Sequence, residues 1–114
     1  MINGRFTLDL VGQERTLVAD FNFIETIELS TVRKPIFQLL DEALNGRMHL
    51  TDMVSVLHAG LKSNGDTRLS RAEIGNDVIA KGMANLVEFY IKFLTYAVTG
   101  NSQPKVEENL DKKK

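Results

Sequence analysis

Cysteine is absent from the 114 residues, so disulfides and zinc–thiolate sites are excluded. A chain without them fits a reducing compartment. An excess of one charge is absent too: 14 basic residues meet 15 acidic ones, for a net charge of −1. That balance gives no reason to expect nucleic acid or an anionic membrane as a partner. Long hydrophobic runs are missing. The longest candidate, near the C-terminus, is interrupted by Glu88 and Lys92, so no segment suits a bilayer span. Met1-Ile2-Asn3-Gly4-Arg5 leads straight into alternation and holds no apolar h-region, so a signal peptide is not expected. The eight glycines are scattered and form no phosphate cradle.

Reactive constellations are equally scarce. His49 and His58 are the only histidines, nine residues apart on different elements, with no carboxylate at i+4 spacing to complete a metal pair on one helix. Both read as ordinary surface residues. Asp41-Glu42 and Glu107-Glu108 are neighbours in sequence, and such neighbours do not converge on a scissile bond. Asn64-Gly65-Asp66 lacks the ligand ladder of a calcium loop and reads as a turn. The expectation is a non-enzyme with no catalytic, cofactor-binding or metal-ligating residues and no cofactor.

What is present is enough to fold. The apolar fraction is 43%, and the length is that of one domain. Phe6, Leu8 and Leu10 alternate with polar residues at strand period. A Gly12-Gln13 turn would close a hairpin with Leu8 opposite Leu17 and Phe6 opposite Ala19. Its apolar face must pack on helices, because an isolated ribbon is marginal in water. Asn22 and Glu25 fit a capping box, with Ile24 and Ile27 turned inward. After a break at 31–34, Pro35 suits a first helical position, apolar residues follow from Ile36 to Leu44, and Gly46 is a stop. The next helix opens at Leu50 or Thr51. Met53, Val54, Val56, Leu57 and Leu61 form its apolar face, with Ser55 on the other side. Gly60 lies within it, at a cost of about 1 kcal/mol relative to Ala, which close approach by another element would offset. Ser70 and Glu73 make a second capping box for a helix reaching about Gly82.

The last helix, from about Met83 to Val98, is nearly all apolar. Its polar residues Asn85, Glu88, Lys92, Thr95 and Thr99 form one stripe only about 80° wide. It is expected to be the central helix, with Leu86, Tyr90 and Leu94 buried. The expected fold is α+β and mostly helical: an N-terminal β-hairpin packed on four to five α-helices, with residues 1–100 as one domain. Residues 101–114 are too polar to bury a core and read as a disordered tail. Surplus apolar circumference on the last helix makes Phe89, Phe93 and Tyr96 candidates for partner binding. Met48 and Met53 join them, since methionine suits adaptable grooves.

The order of these elements resembles the small tail assembly chaperone family of tailed phages and gene transfer agents. The similarity runs over about residues 4–98. It rests on Phe6-Thr7-Leu8-Asp9-Leu10 with Gly12 and Glu14-Arg15-Thr16-Leu17, on Asn22-Phe23-Ile24-Glu25, on Val56-Leu57-His58-Ala59-Gly60-Leu61, and on Leu69-Ser70-Arg71-Ala72-Glu73-Ile74-Gly75 before an apolar helix. Phe23 departs from the smaller residues common at its place. The resemblance implies a cytoplasmic helper in the bacterial host that binds a tail component, such as the tape-measure protein, through an apolar helical segment. Three alternatives stand beside it. One is a structural tail or head-completion subunit, one a small regulatory protein-binding domain, and one self-association through the same apolar surface.

Overall fold

The structure is a computed structural model that describes residues 4–100; the expected polar tail lies outside them. Strands β1 (Arg5–Leu10) and β2 (Gln13–Val18) form an antiparallel hairpin. Helix α1 (Phe21–Thr26) runs on as a π-helical turn (Ile27–Thr31). Then come α2 (Ile36–Leu44), α3 (Leu50–Ser63) and α4 (Arg71–Lys81), a 3-10 turn (Met83–Leu86) and α5 (Val87–Thr99). The fold is the expected α+β arrangement, a hairpin followed by five helices.

The hairpin turn sits one residue earlier than expected. Val11 and Gly12 are its central pair, both with positive φ (50° and 84°), the geometry whose twist matches paired strands. The register is therefore Phe6 opposite Leu17 and Leu8 opposite Arg15, in place of Leu8 opposite Leu17 and Phe6 opposite Ala19. Moving the turn by one residue shifts the pairing by two, so the same side chains still face inward. A β-branched residue at positive φ is strained. The Val11 N–H is held by a 3.0 Å bond to Asp77 Oδ2 on α4.

Arg15 shares the inner face with Leu17 and is buried. Its Nε donates to the Leu10 carbonyl at 2.8 Å, and Nη1 lies 3.4 Å from Asp66 Oδ2. Asp66 also accepts from Arg68 through Nε, Nη2 and the backbone N–H. Chiefly the Arg68 side chain, and then Arg15, draws the Asp66 carboxyl from 3.8 down to about 2. A carboxyl depressed on folding stabilises above its unfolded pKa and loses that contribution as pH falls through the folded value. Asp66→Asn should therefore lower the urea midpoint at neutral pH, and its gap from wild type should close between about pH 4 and pH 2. A gap that stays constant over that window would contradict the assignment.

Two caps differ from expectation. Asp20, two residues before Asn22, caps α1: its Oδ1 accepts from Phe23 N at 2.9 Å. Asn22 instead donates to Ser63 Oγ. Phe23 and Ile27 are the fully buried inward pair, one turn apart, and Ile24 is only partly buried. Pro35 is the N-cap of α2 and has no side-chain acceptor to offer. Glu28 supplies one from the preceding turn, accepting from Ile36 N at 2.9 Å. The Ser70–Glu73 capping box forms as expected, with bonds of 3.1 and 2.9 Å.

The central helix is α3, not α5. Eight of the 14 residues of α3 are buried, including Ser55, against four of 13 in α5. Leu86, Tyr90 and Leu94 are buried as expected, and so is Thr95 on the polar stripe. The hairpin and α5 both press on α3 at Gly60. A Cβ there would lie 3.0 Å from Phe93 Cζ and 3.1 Å from Leu17 Cβ. Close approach thus explains this glycine.

Candidate interaction surface

The residues expected to meet a partner are distributed unevenly. Phe93 and Met53 are 0% exposed, so in this fold neither can touch another molecule. Phe6 from β1 covers the α5 flank, edge-on to Phe93 at 5.3 Å, Phe89 at 6.2 Å and Tyr96 at 5.7 Å between ring centroids. Phe23 of α1 meets Phe93 edge-on at 5.1 Å. The aromatic flank is therefore core, with Phe89 and Tyr96 partly exposed at its edge. Met48 is also partly exposed. It lines a shallow cavity of about 290 Å³ with Ala43, Gly46, Met83, Ala84 and Val87.

Large apolar side chains reach solvent elsewhere. Phe21, Leu29, Phe37, Leu44 and Ile79 are between 61% and 71% exposed. At 100° per residue Phe37, Leu40 and Leu44 fall within about 60° of one another on α2. That stripe adjoins the buried face made by Ile36, Leu39 and Ala43. Helix α2, rather than α5, carries more apolar circumference than the domain covers.

A second concavity, of about 380 Å³, lies between α3 and α4. Leu50 and Val54 line it from α3, and Ala72, Gly75 and Ile79 from α4, with Arg71 also on its wall. His58, one turn beyond Val54, has its pKa lowered by burial and by the nearby charges of Lys62 and Arg71. The groove thus has an apolar floor and basic groups at one end.

One polar cluster joins elements that sequence spacing did not connect. Lys34 Nζ donates to Asp52 Oδ2 at 2.8 Å and to the two Glu42 oxygens at 3.2 and 3.3 Å. His49 Nδ1 lies 3.6 Å from Asp52 Oδ2. Donor atoms of Glu42, His49 and Asp52 all fall within 4.8 Å of one another, three groups that a divalent cation could use. His49 is thus less isolated than its sequence neighbours suggest. The ammonium of Lys34 already pairs with both carboxylates and offsets one of their two charges. Its pKa is raised, mainly by the bond to Asp52, and that of Glu42 is lowered, mainly by Gln38 and then by Lys34. Among the described residues the buried Tyr90 hydroxyl has no hydrogen-bond partner, and burial, with the fields of Asp52 and Glu42, holds its pKa above the usual value.

Among the described residues no helix is long and apolar enough to cross a membrane. The profile of one protein family, described as phage tail tube protein, GTA-gp10, matches residues 3–100. No curated protein and no solved structure matches the chain. The match spans the hairpin and all five helices, and the chain belongs to the phage tail tube protein, GTA-gp10 family.

Proposed function

We propose that this protein is a tail assembly chaperone of a phage or gene transfer agent. It acts without catalysis in the bacterial cytoplasm and covers an apolar helical segment of a tail component, such as the tape-measure protein, until assembly encloses that segment. The carrying observation is the set of five large apolar side chains left exposed on the helices of a tail-family domain. A tape-measure chain is long and helical and shows apolar surface before the tube surrounds it. Burying about 500 Å² of such surface contributes roughly 12 kcal/mol, which the cost of association, on the order of 4–15 kcal/mol, largely offsets. The result is a reversible complex that needs no nucleotide.

The family's description as a tail tube protein favours a second reading, a structural subunit that stays in the particle. Exposed apolar side chains at two places, Phe21 and Leu29 on α1 and its extension and Phe37 and Leu44 on α2, would suit a subunit contacting two neighbours. Mass spectrometry of purified particles separates the two. A chaperone should be missing or far below the copy number of tube subunits, whereas stoichiometric retention would establish the structural role. Co-expression with the tape-measure protein should keep that protein soluble and in complex with this one. If no tail component co-purifies, the chaperone reading falls.

A further inference from the structure

Gly75 and Gly60 both sit inside helices, but their surroundings differ. A Cβ at Gly60 would collide with Phe93 and Leu17, whereas one at Gly75 would meet only Val54, at an ordinary 3.7 Å. Internal packing therefore gives no reason for a glycine at 75, and Ala there would favour the helix. The position lies on the wall of the α3–α4 groove, between Val54 on one side and exposed Ile79 one turn along α4. A missing side chain at such a place leaves room for a chain approaching from outside.

Charge adds a direction. With α3 and α4 packed side by side, Leu50, Val54 and Ile79 give the apolar part of the groove. Arg71 stands at the other end, close enough to His58 to act on its ionisation together with Lys62. Neither Arg71 nor Lys62 has an ion-pair partner among the described residues. The nearby acid Glu73 is engaged in the helix cap.

The geometry points to this groove as the docking site for an amphipathic helix of the tail component, with an apolar side chain seated over Gly75 and a carboxylate one to two turns away paired with Arg71. The assignment rests on the assembly-helper reading and names the surface that performs it. Of the five exposed apolar side chains, Ile79 is the one that lines this groove.

The test uses the full chain and overlapping 25-residue peptides covering the tape-measure protein of the same particle. Wild type should bind a peptide that carries acidic residues beside apolar ones. Gly75→Ala should raise the melting temperature by about 4–8 °C and weaken that peptide about tenfold or more, because a methyl group fills the approach. Arg71→Glu and Ile79→Lys change exposed side chains and should leave folding intact while reducing binding. A Glu→Lys change in the peptide should restore binding to Arg71→Glu. If wild type binds a peptide and all three folded variants bind it equally well, the groove is the wrong surface and the chaperone reading stands. If wild type binds no peptide and co-purifies with no tail component, both readings are overturned.

Discussion

Replacing Phe93 with Ala should destabilise the protein by about 3–5 kcal/mol, the range for truncating a fully buried Phe. Phe93 is the hub of the aromatic cluster. Its ring meets Phe6 from the hairpin and Phe23 from α1, stacks with Phe89 at 5.9 Å, and touches the backbone of α3 at Gly60. Truncation would open a cavity bounded by three different elements, and none can close it without moving the others. Urea unfolding followed by circular dichroism measures the effect. A loss below about 1 kcal/mol would mean that the cluster collapses readily around the gap.

Gly60→Leu should be the mirror of that experiment. The new Cβ alone would stand 3.0 Å from Phe93 Cζ and 3.1 Å from two atoms of Leu17. Overpacking costs typically about 1–3 kcal/mol, and a Leu enclosed on two sides belongs at the upper end or beyond. Helix propensity would return somewhat under 1 kcal/mol of that. The two substitutions should couple. In the double variant the Leu side chain enters the space that Phe93 vacates, so the combined loss should fall short of the sum of the single losses by more than about 0.5 kcal/mol. Simple additivity would show that Gly60 and Phe93 are not packed against each other.

These residues also mark what the sequence could convey. The hairpin's inward face, the Ser70–Glu73 cap and the close approach at Gly60 were legible because each is a local rule: period two, a three-residue spacing, a glycine where glycine is costly. Burial of Leu86, Tyr90 and Leu94 followed from a narrow polar stripe. What covers that helix did not follow, since periodicity reports how apolar a face is and not which element lies on it. Phe6 covers Phe89, Phe93 and Tyr96 from the opposite end of the described chain. The Lys34–Glu42–Asp52 cluster was hidden for the same reason, as its members come from a loop and two helices. The turn was misplaced because Val11 adopts a positive φ that its side chain disfavours, stabilised by an aspartate on α4. The sequence does carry one signal for the α3–α4 groove: Gly75 lies inside a helix just as Gly60 does.

The fastenings of the hairpin set the order in which the molecule can mature. Arg5 bonds to Asn64, Arg15 pairs with Asp66, and Val11 bonds to Asp77, separations of 59, 51 and 66 residues. The strands leave the ribosome before any of these partners, and the last anchor waits until α4 has been made. At about 5–20 residues per second that delay is roughly 3–13 s. A lone two-stranded ribbon does not hold its shape over such an interval. Phe6, Leu10 and Leu17 therefore wait in water on the nascent chain, and slower loop closure makes these contacts late in folding as well. In the proposed assembly role, the protein would pass during its own synthesis through the same exposure that it shields in its partner.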